Sequence, residues 1–319
     1  MPDKQPDRTQ PTQHQRKRTL RVCAATAVAA SLAACSATGA AHQTSAPTER
    51  TSAPAPGQAA PRENPGAALA RALRPVLPGG DTRLAVAVLG LDGADQEIAA
   101  FGHGTTFDSA SIIKVNILAA LLLMAQDQNR GLTAAEHDMA EAMIRTSDND
   151  AANVLWRAIG RAEGLDAANA RLGLAATHGG PGVRWGLTRT TAADQVRLLR
   201  AVFAPEPAAS ARPPEGLDRA SRAYIRRLMG SVTPDQDWGV SAAGTPKSRY
   251  ALKNGWLQRD TTGLWIINSI GHITVHGRRY LISVLSSGNT TMSHGISLVE
   301  QAARAAIDAV GTDTRARPT

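Results

Sequence analysis

Residues 112–125 read Ile-Ile-Lys-Val-Asn-Ile-Leu-Ala-Ala-Leu-Leu-Leu-Met-Ala, and only Lys114 and Asn116 interrupt the apolar run. A helix that is apolar on every side has to be buried on every side, so the rest of the chain must fold around it. Ser111 and Lys114 stand three residues apart at its start and share one face. A lysine in such a place loses water, which disfavours its ammonium form and suits it to act as a base. A serine in the first turn gains from free backbone N–H groups, which favour developing negative charge. Serine with a lysine base is one form of activated nucleophile. The same residues also fit an N-capping serine above a core helix whose lysine reaches for the surface. Alone, the pair does not choose between these.

Lysine usage adds weight to the first arrangement. Of 35 basic residues only Lys4, Lys17, Lys114, Lys247 and Lys253 are lysines. Where any positive charge would serve, this sequence uses arginine, so a retained lysine points to a need for a removable proton.

The net charge of +8 suggests nucleic acid until it is located. Half of it lies in residues 1–35, where Arg16-Lys17-Arg18 and Arg21 precede a short apolar run ending in small residues. That is the pattern of a secretory signal, too short for a spanning helix. The other half is spread without a basic block or aromatic platform, which argues against nucleic-acid binding. The run ends Leu32-Ala33-Ala34-Cys35 and resembles a bacterial lipobox, which implies lipidation at Cys35 and anchoring on the outer face of the cytoplasmic membrane. The general and twin-arginine secretion routes are not distinguished. With Cys23 removed and Cys35 lipidated, no cysteine is left for a disulfide, and the fold must rest on packing.

Four parts are expected: a lipoprotein signal at 1–35, a tether at 36–64, one domain at 65–312 and a tail at 313–319. The tether is Ala, Ser, Thr, Pro and Gln with almost no large apolar residue, and cannot bury a core. A first helix is expected at 65–77, strands at 83–91 and 96–101, and the central helix directly after them. Thr133 and Glu136 match a capping box opening the next helix. Further helices follow near 150–159, 165–172, 191–203 and 217–229. Strands return at 250–257, 264–275 and 278–286, and a last helix spans 295–310. Two strands, a block of helices, then three strands and a helix predict an α+β domain. Its five-stranded antiparallel sheet is covered by N- and C-terminal helices, and an all-helical subdomain is inserted between strands 2 and 3.

Two other short motifs stand out. Ser147-Asp148-Asn149 puts a hydroxyl and an amide between two helices, where any N-cap would also use such residues. Lys253-Asn254-Gly255 lies within a strand, where glycine marks close approach of a ligand or another backbone, or a guarded, kinked edge. The three motifs together, in this order, resemble the penicillin-recognising serine enzymes, class A β-lactamases and penicillin-binding D,D-peptidases, across about residues 65–310. The resemblance implies that Ser111 attacks a lactam or peptide carbonyl and becomes acylated, with Lys114 as base. It implies that Ser147 passes a proton to the departing nitrogen beside Lys253, and that Asn149 binds the substrate amide. The backbone N–H groups of Ser111 and Trp256 would hold the oxyanion, and Asn254 and Gly255 would line the substrate site. It implies no cofactor or metal, a small-molecule or wall-peptide substrate, and a monomer. A cell-wall peptidase, or a non-catalytic lipoprotein that binds wall peptide or lactam, stands as the alternative.

Three departures qualify the resemblance. Asn254 replaces the hydroxyl that usually meets the substrate carboxylate, although it can still donate a hydrogen bond. The spacing between Ser111 and Ser147 is short, which predicts an open rim. The stretch 175–189 contains no carboxylate, whereas class A enzymes carry a glutamate there that drives deacylation. Glu163 is expected on an exposed face, Asp194 as a helix cap and His178 as an exposed loop residue. His272 and His276 would share one strand face, without a third metal ligand.

Overall fold

The computed structural model describes residues 64–92, 97–205, 216–245 and 248–313. The signal with Cys35, the tether up to residue 63, Lys247, the tail from residue 314 and most of the proline-rich stretch before Leu217 lie outside the described residues.

The elements run α1 (Pro65–Leu73), β1 (Arg83–Gly90), β2 (Ala99–Phe101), β3 (Phe107–Asp108), α2 (Lys114–Asp127), α3 (Ala134–Arg145), α4 (Asn149–Ala158) and α5 (Arg161–Arg171). There follow β4 (Arg189–Thr190), α6 (Ala192–Phe203), α7 (Arg219–Met229), β5 (Tyr250–Gln258), β6 (Trp265–Val275), β7 (Arg278–Asn289) and α8 (Met292–Asp313). Five strands form one antiparallel sheet in the order β2-β1-β7-β6-β5, and β3 and β4 form a separate two-stranded ribbon. The helices α2 to α7 are inserted between β2 and β5, which become the two edges of the sheet, as the element grammar predicts.

Strand β1 shows how the layers form. Side chains alternate across a strand. Leu84, Val86 and Val88 join Leu69 and Leu73 of α1 and Leu298, Val299 and Ala302 of α8 in one core. Ala85, Ala87 and Leu89 face the other way, into a second core built from α2 to α7. Helix α2 lies in that second core, with Ile117, Leu118 and Leu121 wholly buried. It is long and apolar enough to cross a membrane by composition, but 83% of the segment Ala110–Asp127 is buried within the domain.

The capping box forms as expected: Thr133 Oγ1 accepts from the Glu136 N–H at 3.2 Å, and Glu136 accepts from the Thr133 N–H at 2.8 Å. Two local expectations change. Ser111 does not lie in the first turn of the α-helix itself; Ala110–Ile113 form a 3₁₀ turn, and α2 begins at Lys114. His276 is not on a strand face. It and Gly277 have φ of 49° and 78° and make the two-residue turn joining β6 to β7, the geometry such a hairpin favours. Only His272 stays in the strand, stacked on Phe203 with ring centroids 5.0 Å apart.

Candidate active site

The 3₁₀ turn aligns residues three apart on one face, since it has three residues per turn. Ser111 and Lys114 therefore share a face more fully than an α-helix would allow. Ser111 is 8% exposed, and no side-chain hydrogen bond holds its hydroxyl among the described residues. The residue before it, Ala110, has φ of 47°, a left-handed conformation that costs a residue with a Cβ roughly 1–2 kcal/mol. Such strain survives only where the surroundings fix it.

Those surroundings are visible. Asn268 of β6 donates through Nδ2 to the carbonyls of Asp108 and Ser109, both at 3.0 Å, and accepts from the Ser286 N–H at 3.1 Å. The Asp108 carboxylate is held by Arg189 and Arg259, each at 2.7 Å. On the β5 side, a Cβ added to Gly255 would lie 2.8 Å from the amide nitrogens of both Ser111 and Ile112. Glycine at 255 is thus a close-approach residue, one of the two roles its strand position allowed.

Lys114 is fully buried. Its Nζ donates to the Ser147 carbonyl at 2.6 Å, to Asn149 Oδ1 at 2.8 Å and to Ser147 Oγ at 3.1 Å. Lys253, also buried, donates to the same Ser147 Oγ at 2.9 Å and to its neighbour's carbonyl, Asn254 O, at 3.0 Å. The Ser147 hydroxyl thus lies between two amines, able to accept from one while donating to the other. Ser147 itself has φ of 58°, and Asp148 caps α4 by accepting from the Ala151 N–H at 2.7 Å.

Burial lowers the Lys114 ammonium from 10.5 to about 7, against the pull of nearby Asp148 in the other direction. That drop corresponds to roughly 5 kcal/mol of disfavour for the charged form. The Trp185 ring, centred 4.8 Å from Nζ, acts the other way, since a cation over a ring is worth about 0.5–2 kcal/mol. Burial therefore dominates. Lys253 is pushed well below its ordinary value by burial and then by the charge of Lys114.

The other site expectations divide. Asn149 Oδ1 accepts from Lys114, so only its amide NH2 is left for the contact that the resemblance implies. Asn254 is turned away: its Nδ2 donates to Gln236 O at 2.9 Å and to Trp238 O at 2.8 Å, so both N–H donors are occupied. Trp256 is half-buried and follows Gly255 on the edge strand β5, its ring 6.0 Å from that of Trp238.

In the stretch 175–189, His178 is exposed and its backbone pairs with Arg189 as a β-bridge. Glu163 is exposed, as expected. Asp194 is not the cap that was expected: Thr191 caps α6 by accepting from the Asp194 N–H, while the buried Asp194 carboxylate accepts from the Ala176 N–H and the Thr177 hydroxyl, both at 2.8 Å. Among the described residues no three His, Cys, Asp or Glu side chains gather as a metal site.

Sequence reasoning missed Asn268 and Trp185. Asn268 had a faint signal, a polar residue inside the apolar strand Trp265–Val275. Trp185 had none beyond the scarcity of aromatics, at 3% of the chain.

The profile of a family described as the beta-lactamase enzyme family matches residues 124–312, well over half of the chain. That match begins in α2, after Ser111 and Lys114. No curated protein matches in sequence. Among solved structures, the TLA-1 extended-spectrum β-lactamase is similar with a TM-score of 0.64 and 16% identity, over 78% of this chain and 99% of that one. PBP-A matches with a TM-score of 0.63 and 19% identity, over 77% of this chain and 96% of that one. A variant of PBP-A has been solved as an acyl-enzyme complex with penicillin G. A β-lactamase from Xanthomonas campestris pv. campestris matches with a TM-score of 0.60 and 21% identity, over 77% and 97%. At these identities the likeness is one of fold.

Proposed function

The chain belongs to the beta-lactamase enzyme family, and on that premise we propose that it is a serine hydrolase that acylates Ser111 with β-lactams or related amides and releases the acyl group slowly. The observation that carries this reading is Ser147 Oγ, held 3.1 Å from Lys114 Nζ and 2.9 Å from Lys253 Nζ. Ser111 Oγ attacks the carbonyl carbon while its proton passes to Lys114. The oxyanion is met by the N–H groups of Ser111 and Trp256, where each donor typically contributes a hundred- to thousand-fold in rate. The C–N bond then breaks, and the nitrogen takes a proton from Ser147, which regains one from Lys114. The proton account closes, and Ser111 is left as an ester.

Clearing that ester needs an activated water. The stretch 175–189 offers no carboxylate, and the nearby Asp166 carboxylate accepts from the Gly179 N–H at 2.7 Å. This favours a long-lived adduct, as in a penicillin-binding peptidase. A binder without turnover is the second reading, favoured by the same bare loop.

The test is incubation with a fluorescent penicillin and an acylating ester, followed by intact mass over time. An adduct that persists, and that is lost in Ser111→Ala, is expected. Absence of any Ser111-dependent adduct would sink the nucleophile assignment, and rapid clearance would sink slow release. Export and lipid anchoring at Cys35 on the outer face of the cytoplasmic membrane are part of the same proposal. They predict that Cys35→Ala leaves the membrane fraction.

A further inference from the structure

Trp185 lies on the 3₁₀ turn Trp185–Leu187, outside all three motifs. Its indole Nε1 donates to Asn153 Oδ1 of α4 at 2.9 Å. The next residue, Gly186, offers its carbonyl to Ser109 Oγ at 3.5 Å, and the Thr188 carbonyl accepts from the Ser109 N–H at 2.8 Å. The turn is therefore tied both to α4 and to the segment carrying Ser111. The ring stands over Lys114 Nζ at 4.8 Å. Lys114 is 0% exposed, while Trp185, whose ring lies against its amine, keeps part of its own surface open to solvent. Three oxygens, Ser147 O, Ser147 Oγ and Asn149 Oδ1, surround the amine at its other contacts.

We propose that the Trp185 indole is the cover of Lys114, a positioning residue that seals the amine from bulk water so that it can take the Ser111 proton as a free base. The proposal rests on the reading of Lys114 as base. Two effects of the ring oppose each other: as a π-face it favours the ammonium, and as a cover it disfavours it. The cover dominates, because water admitted beside the amine restores the hydration that burial removed. The other charged neighbours, Asp148 at the start of α4 and Lys253 of β5, are untouched by substitution at 185.

The experiment is an NMR titration of the full chain carrying an isotope label at the lysine ε-carbons, with the Lys114 signal assigned by Lys114→Met. Five lysines keep the spectrum readable. The parent midpoint is expected near 7. Trp185→Ala is expected to raise it by about one pH unit or more, and Trp185→Phe, which keeps a ring over the amine, to leave it within a few tenths. An unchanged or lowered midpoint in Trp185→Ala overturns the proposal, as does a shift in Trp185→Phe equal to that in Trp185→Ala. Should Trp185→Ala not fold, Asn153→Ala carries the test, with a smaller rise expected and no rise overturning. The titration needs no acylation, so failure of the cover is distinguishable from failure of the Ser111 reading, which shows as absence of the adduct.

Discussion

Gly255 of the edge strand and Ser111 of the 3₁₀ turn approach so closely that a Cβ at 255 would come within 2.8 Å of the Ser111 amide nitrogen. The contact is backbone against backbone, so no side chain can swing aside to relieve it. Gly255→Ala must push β5 away from the turn, at a cost of about 1–3 kcal/mol in stability. Acylation is expected to fall roughly a hundred-fold, because displacing β5 withdraws the Trp256 N–H from the oxyanion. Thermal unfolding and the rate of penicillin labelling check this; a folded alanine variant that labels at the parent rate would contradict it.

The pH dependence follows from Lys114. Its folded value of about 7 lies below the unfolded 10.5, so between these pH values the unfolded chain binds the extra proton. Stability therefore rises with pH across that window, and the cost of burying the amine is fully present below about pH 7. The slope contributed by this one group approaches about 1.4 kcal/mol per pH unit. Lys114→Met is expected to lack that component, which denaturant unfolding at several pH values reads as the difference between the two proteins. Acylation should rise through about pH 7 as the free base forms. A labelling rate flat from acid to alkaline pH would exclude Lys114 as the base.

Asn268 holds the segment leading into the Ser111 turn through the carbonyls of Asp108 and Ser109. Asn268→Leu removes two donors to carbonyls and leaves those oxygens unpaired in the core. The expected loss is about 2–4 kcal/mol of stability. Labelling should slow, while its pH midpoint stays at the parent value, because the environment of Lys114 is not altered. A moved midpoint would show that the turn and the base are coupled.

Asn254 has both amide hydrogens engaged, so it is expected to hold the loop at 236–238 and not to select substrates. Asn254→Ala should lower stability by roughly 1–3 kcal/mol. The ratio of labelling rates for penicillin and its methyl ester should remain unchanged. A changed ratio would return Asn254 to the substrate site.

Much of this architecture was legible because it is written in local patterns. Alternation along β1, the Thr133–Glu136 box and the apolar run of α2 each follow from a short window of sequence. The three motifs were legible by their order, and Ser147, Lys114 and Lys253 do come together. What the sequence hid depends on approach from afar. The 3₁₀ turn before α2 is met by Asn268 and Gly255, which approach it from β6 and β5. Asn254 is drawn from the expected substrate role by the carbonyls of Gln236 and Trp238, which lie far from it in the strand pattern. Trp185 meets Lys114 because the loop after α5 folds back over α4, and no spacing rule foretells that. The strand bounds around His276 were legible, and the His-Gly pair between them forms the turn; only the pairing of His276 with His272 on one strand face was in error.

The insertion of α2 to α7 between the two sheet edges also fixes the order in which the molecule can become reactive. Lys253 and Ser147 are 106 residues apart in sequence, and Asn268 and Ser109 are 159 apart. A chain made from its N-terminus presents Ser111 first and the strands that surround it last. Contacts of such range close slowly, since the intervening loop must be ordered before they form. Until β5 and β6 dock, Ser111 is an ordinary serine on an unsupported turn. On the proposed reading of Ser111, reactivity is a property of the finished fold and is expected to be absent from half-made chains.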